Sequence, residues 1–185
     1  EPMSVDELRA KEVVIPGALT TAFLTLRLFM GDFAWREMPF EQIPDEVASG
    51  RADAGLLIHE GQLTFSDLGL AKSVDLGEWW LLETGLPLPL GINAARRDVD
   101  RLQDLSEVLR EAIRCGLEHR DEALEYALQF GRGIDAAVAD RFIEMYVNEL
   151  TQDYGDEGRK AVVEFLRRGE AIGAFPAPVR VDFVR

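Results

Sequence analysis

His59 is the side chain in this sequence best suited to moving a proton. It follows the apolar run Ala54-Gly55-Leu56-Leu57-Ile58 and precedes Glu60-Gly61-Gln62, so it reads as the residue at the exit of a buried strand. An imidazole changes charge near neutral pH, which fits it for general base or general acid work. The carboxyl end of a strand is also where open α/β folds gather their ligand chemistry. The sequence holds only two histidines, so such a placement carries weight. A satisfied structural histidine is the plainer alternative, and His59 taken alone leaves both open.

A second apolar run, Val13-Val14-Ile15, ends at Pro16-Gly17-Ala18-Leu19-Thr20-Thr21, where helical spacing begins. The first turn of a helix has unpaired N–H groups and the positive end of the backbone dipole, and both favour an anion. Hydroxyls at Thr20 and Thr21 would add two adjustable donors for a carboxylate or hydroxyl of a substrate. Simple helix capping is the competing role for a threonine here. Together the two motifs point to a site for an anionic small molecule.

Other candidates carry less. His59-Glu60 lacks the second histidine of a zinc-protease helix, and two histidines far apart do not build a metal site. No metal and no cofactor are therefore expected. Gly131-Arg132-Gly133-Ile134-Asp135-Ala136 fits a dinucleotide-binding string formally, but it follows a helix rather than a strand and reads as a helix break. Asp153-Tyr154-Gly155-Asp156-Glu157-Gly158 lacks calcium-loop spacing and reads as a turn with an acidic helix start. Trp79 and Trp80 could stack on an aromatic ligand, with core packing as the alternative. His119, at a helix end, interacts most simply with the dipole. Cys115 has no base near it in sequence, so nucleophilic chemistry is not expected there.

Composition limits the classes of partner. The 185 residues are 47% hydrophobic, enough for one domain or two small lobes. With 20 basic and 34 acidic residues the net charge is −14, and no basic stripe is present to neutralise phosphates. Nucleic acid and anionic membrane are thus poor partners. The apolar stretch Trp79-Trp80-Leu81-Leu82 is cut at once by Glu83, and nothing reaches the length of a membrane span. The start, Glu-Pro-Met-Ser-Val-Asp, has neither a basic region nor an apolar signal core, and the single cysteine fits a reducing compartment. A cytoplasmic location is expected.

Elements that would position these residues alternate along the first half. Ser4 to Glu7 forms a capping box; 13–15 is a strand, 20–30 a helix ending at Gly31, 35–40 a short strand and 42–48 a helix. Strand 54–58 delivers His59; 70–74 is a strand, 75–82 a helix and 88–95 a last strand. Such alternation implies βαβ units and a largely parallel sheet. Beyond Arg97 the period changes to helices: 102–119, 121–130, 134–150 and 157–168, then an extended tail from Phe175. Residues 11–95 should form an α/β lobe carrying Thr20, Thr21 and His59. Residues 98–185 should form a helical part of a second lobe with too little sheet of its own, as if the chain began in the middle of a fold.

The strings Val-Ile-Pro-Gly-Ala-Leu-Thr-Thr-Ala-Phe (14–23), Ala-Gly-Leu-Leu-Ile-His-Glu (54–60), Val-Asp-Leu-Gly-Glu-Trp-Trp (74–80) and Thr-Gly-Leu-Pro-Leu-Pro-Leu-Gly (84–91) closely resemble the 1,4-dihydroxy-6-naphthoate synthase family of the futalosine route to menaquinone. Tyr146-Val147-Asn148, with Gly155 and Gly158, is also similar to that family. The resemblance covers essentially the whole chain. It implies a two-lobed fold like that of periplasmic solute-binding proteins, with a cleft between the lobes. It implies a cofactor-independent carbon–carbon lyase that splits cyclic dehypoxanthinyl futalosine to release 1,4-dihydroxy-6-naphthoate, with His59 as the base. Family members carry an amino-terminal segment with an early Pro-Asn-Asp motif, which this sequence lacks. A separate N-terminal chain is then an expected partner, or a homodimer. The alternatives are a non-catalytic small-molecule binding protein and an inactive fragment of the enzyme.

Overall fold

A computed structural model describes residues 1–130 and 135–184. The elements run, in chain order, α1 (Val5–Arg9), β1 (Glu12–Ile15), α2 (Thr21–Met30), β2 (Ala34–Glu37), a 3-10 turn and α3 (Ile43–Ala48), β3 (Ala54–Gly55), and α4 (Gly61–Thr64). There follow a second 3-10 turn, α5 (Leu76–Thr84), α6 (Leu102–Glu118), α7 (Arg120–Leu128), α8 (Ala136–Tyr146), α9 (Glu149–Gln152) and α10 (Gly155–Ala171). The chain is α/β, with a small parallel sheet and many helices.

The sheet has the order β2-β1-β3 with every pairing parallel. Right-handed crossovers that run across a sheet in opposite directions, here β1 to β2 through α2 and β2 back past β1 to β3 through α3, must place their helices on opposite faces. The packing agrees. Val13, Ile15 and Ala54 point to the side where Phe23, Leu26 and Met30 of α2 form the core with Leu8 and Leu56. Gly55 points to the other face, where a Cβ would lie 2.5 Å from Ile43 Cγ2 and 3.1 Å from Val47 Cγ2 of α3. Only a glycine lets α3 approach so closely.

Ser4 and Glu7 form the expected capping box on α1, and Thr20 and Asp75 cap α2 and α5. Several strands read from the sequence are shorter or absent. The ladder between β1 and β3 continues only to the bond from Leu56 N to Val14 O at 2.8 Å. Its next rung needs an N–H at position 16, where Pro16 has none, so strand 54–58 stops early and His59 lies in a turn beyond it. Neither 70–74 nor 88–95 joins the sheet among the described residues. Pro89 interrupts the second of these, just after Pro87, with a residue that cannot donate to a ladder. The helix read over 134–150 divides at Asn148, whose side chain accepts from Leu150 N at 3.0 Å and starts α9. Residues 131–134 of the glycine-rich string lie outside the described residues.

Helix α10 closes on the first half through Phe165, which meets Trp80 at 5.5 Å between ring centroids, and through Gly169, packed beside Leu24 and Phe175. By contrast α6 and α7 bury none of their residues, although α6 is strongly amphipathic. Val108, Tyr126 and Phe130 stand 67%, 64% and 70% exposed.

Candidate functional site

Because all strands are parallel, the turns that follow them emerge at one edge of the sheet. The β1–α2 turn carries Thr20 and Thr21, the turn after β2 carries Phe40, and the segment after β3 carries His59. With β1 central, the threonine turn lies between the other two. This is the carboxyl edge at which α/β sheets leave a crevice beside the central strand.

His59 is half-buried and held between two aromatic rings. Phe40 lies at 4.4 Å and Phe142 of α8 at 5.9 Å, centroid to centroid, both tilted. Tyr146, one turn along α8, stacks on Phe142 at 4.7 Å. The His59 backbone has φ 55°, in the left-handed region that side chains with a Cβ seldom adopt. Its carbonyl accepts from Gln62 N and from Gln62 Nε2, each at 3.2 Å. Gln62 Nε2 also donates to the Tyr146 hydroxyl at 3.3 Å. The ring nitrogens of His59 have no hydrogen-bond partner among the described residues.

The threonine hydroxyls are already engaged within the chain. Thr20 Oγ1 accepts from Phe23 N at 3.1 Å and donates to Gly17 O at 2.8 Å, the geometry of a helix cap. Thr21 Oγ1 donates to Leu90 O at 2.8 Å and so ties the proline-rich segment to the start of α2. Neither hydroxyl proton is left spare, which corrects the expectation of two adjustable donors. Among the described residues, the backbone N–H groups of Thr21 and Ala22 at the helix start have no partner. Close by, Glu37 at the end of β2 accepts from Ala18 N at 2.7 Å, so this loop already attracts a carboxylate of the protein itself. Leu19 in the same loop is wholly exposed.

Other candidates fall away from this edge. Trp80 is fully buried, donates to Pro87 O at 3.2 Å and packs on Phe165; Trp79 lies against Phe29 at 5.3 Å. Both are packing residues. His119 ends α6 with Nδ1 3.0 Å from Cys115 O. The same nitrogen lies 3.8 Å from Cys115 Sγ, a neighbour that the i, i+4 spacing could have revealed. Asp153 makes a turn by accepting from Gly155 N at 2.9 Å. Among the described residues no three His, Cys, Asp or Glu side chains gather as a metal site, and no helix is long and apolar enough to cross a membrane. A shallow depression of about 620 Å³ lies between α5 and α10, but its Arg168 is paired to Glu164 at 2.8 Å and to Glu83 at 3.5 Å. Charges of both signs neutralise each other there, far in the fold from His59.

Sequence reasoning missed Phe40, Gln62, Phe142 and Tyr146. The i, i+4 pair of rings on α8 was the available signal, but nothing local says which strand end those rings would reach.

Comparison with known proteins now adds to the geometry. Residues 2–171 match the family described as menaquinone biosynthesis. The chain belongs to that family. It is 37% identical over 179 residues to 1,4-dihydroxy-6-naphthoate synthase of Streptomyces coelicolor, an alignment covering 92% of this chain and 64% of the relative. The enzyme of the same name from Thermus thermophilus is 38% identical over 174 residues, again covering 92% of this chain and 64% of that protein. A solved crystal structure of a protein from Archaeoglobus fulgidus, 41% identical, aligns with a TM-score of 0.88 over 95% of this chain and 66% of that one. The chain thus spans just under two thirds of the length of these relatives.

Proposed function

We propose that this chain carries the base-bearing part of a 1,4-dihydroxy-6-naphthoate synthase, a lyase acting on cyclic dehypoxanthinyl futalosine. The observation that carries the reading is His59, with its ring nitrogens unpaired among the described residues and its imidazole caged by Phe40 and Phe142 at the carboxyl edge of the sheet. The names of the two curated relatives supply the reaction.

In this reading neutral His59 takes a proton from the substrate, and the electron pair left behind drives scission of a carbon–carbon bond. Side-chain acid–base chemistry suffices, and no cofactor is invoked. Thr20 and Thr21 serve the substrate through the start of α2: Thr20 caps and fixes the helix, and the N–H groups of Thr21 and Ala22 hold a substrate carboxylate at the positive end of the dipole. Leu19 lies in the same loop as an apolar contact for the aromatic nucleus.

The same reading gives a two-lobed fold like that of periplasmic solute-binding proteins, with residues 11–95 in one lobe and 98–185 contributing to the other. The apolar face of α6 and the exposed rings of Tyr126 and Phe130 support it, because a sheet of the second lobe would cover them. That sheet would come from chain equivalent to the part of the relatives not matched here, on the same polypeptide, a separate one or a second copy. A cytoplasmic setting accords with a biosynthetic reaction.

The test is turnover of His59→Ala and His59→Asn, measured in a form that includes the remainder of the family fold. General-base catalysis contributes about 10²–10⁴-fold, so both variants should lose that much turnover while keeping substrate affinity. Full activity in either variant removes His59 as the base. Affinity lost in step with turnover makes it a recognition residue instead.

A further inference from the structure

We propose that Gln62 is a positioning residue that braces His59 against helix α8. The inference rests on the reading of His59 as the base and adds the device that aims it. Gln62 Nε2 has two hydrogens and two acceptors in reach, His59 O at 3.2 Å and the Tyr146 hydroxyl at 3.3 Å, so one amide serves both. The Gln62 backbone N–H donates to the same His59 carbonyl at 3.2 Å. Two donors on one carbonyl hold the peptide that follows a residue at φ 55°, a conformation that a chain segment leaves easily when it is not tied down.

The other end of the brace matters as much. Tyr146 stacks on Phe142, and Phe142 forms one wall of the cage around the His59 ring. Gln62 therefore links the main chain of His59 to the helix that supplies that wall. The two rings fix the plane in which the imidazole nitrogens lie, and the brace fixes how far along that plane they reach. A reacting group displaced by about 1 Å can lose about 10²-fold in rate. Glutamate has the size of glutamine but no donors, so Gln62→Glu removes the side-chain bond to the His59 carbonyl and sets oxygen against oxygen there, while the Tyr146 hydroxyl can turn to donate to the new carboxylate.

The experiment reads the His59 ring directly. With two histidines in the chain, His119→Asn leaves a single set of imidazole NMR signals, those of His59. In that background His59 ring protons carry ring-current shifts from Phe40 and Phe142. Gln62→Glu should move them toward free-histidine values. Tyr146→Phe, which keeps the ring stack and deletes one acceptor, should move them less and in the same direction. It carries the test if Gln62→Glu does not fold. In the complete enzyme Gln62→Glu should lower kcat by roughly 10–10²-fold with KM little changed. Ring signals that stay in place, including in a variant that merely melts earlier, overturn the proposal. Signals that move while kcat holds leave the brace standing and instead remove His59 as the base.

Discussion

Gly55 and Ile43 approach so closely that a Cβ on the glycine would sit 2.5 Å from Ile43 Cγ2, against atoms fixed on α3. The strand leading to His59 is thus seated by the absence of a side chain. Gly55→Ala should destabilise by about 1–3 kcal/mol through overpacking. Ile43→Ala removes the clashing methyl, so the double variant should be less destabilised than the sum of the singles, by about 1 kcal/mol. Urea unfolding of the four-membered cycle measures this; strict additivity would mean that β3 shifts freely.

Thr20 is a cap whose hydroxyl serves Phe23 N and Gly17 O. Thr20→Ala should cost about 1 kcal/mol, and Thr20→Ser should cost much less because it keeps the oxygen. Thermal melts of the pair check it. Equal melts for serine and alanine would show that the methyl, not the cap, matters at this position.

How legible was the site? Helix α2 was readable because Phe23 and Leu26 recur at helical spacing, Thr20 caps it and Gly31 ends it. The run before His59 was only partly readable: Leu56 is buried as the pattern requires, but the other residues of 54–58 are only partly buried and His59 lies in a turn beyond β3. Strand lengths were not. Leu56-Leu57-Ile58 is apolar enough for a strand, and only the missing donor at Pro16 on the neighbouring strand ends the ladder, a fact of pairing rather than of local pattern. Leu88 to Ala95 has the same composition as a strand but finds its anchor through Leu90 O and the Thr21 hydroxyl. Phe142 reaches His59 and Tyr146 reaches Gln62 by tertiary packing of α8, which no local spacing encodes.

Glu164 gives the acid limb of stability a defined part. Its hydrogen bonds with Arg167 and Arg168 hold the carboxyl down to about 2, from an ordinary value of 4.5. A depressed carboxyl contributes stability that is whole above pH 4.5 and is lost as pH falls toward about 2. Its side chain is 26% exposed and Arg167 61% exposed, so the contribution is modest and weakens with salt. Glu164→Gln should melt lower near neutral pH and fall less steeply over the acid window. Melting temperature against pH at low and high salt checks both the sign and the screening.

Trp80 anchors the segment that Thr21 also holds, by donating to Pro87 O at 3.2 Å. Trp80→Phe keeps most of the packing against Phe165 and loses that bond, at a cost of about 1–2 kcal/mol. Trp80→Ala should cost about 3–5 kcal/mol through the cavity it leaves. Hydrogen exchange should speed at Leu86 and Leu88 in Trp80→Phe. Protection unchanged there would show that Thr21 alone pins the segment.

The backbone of His59 offers a test that does not depend on turnover. Alanine ordinarily stabilises a chain relative to glycine, because glycine gives up more conformational freedom on folding. At φ 55° the order should reverse, since a Cβ is strained there and glycine is not. Both replacements remove the ring and its contacts with Phe40 and Phe142, so that loss cancels in the comparison. His59→Gly should therefore be more stable than His59→Ala by about 1 kcal/mol, which for a chain of this size is roughly 2–4 °C in melting temperature. His59→Asn, whose short polar side chain tolerates this region, should fall between them. His59→Val should be the least stable of the set, because a β-branched residue fits a positive φ worst. If alanine melts above glycine instead, the turn relaxes to negative φ without the imidazole. The ring cage, rather than the backbone, would then be what holds His59 in place.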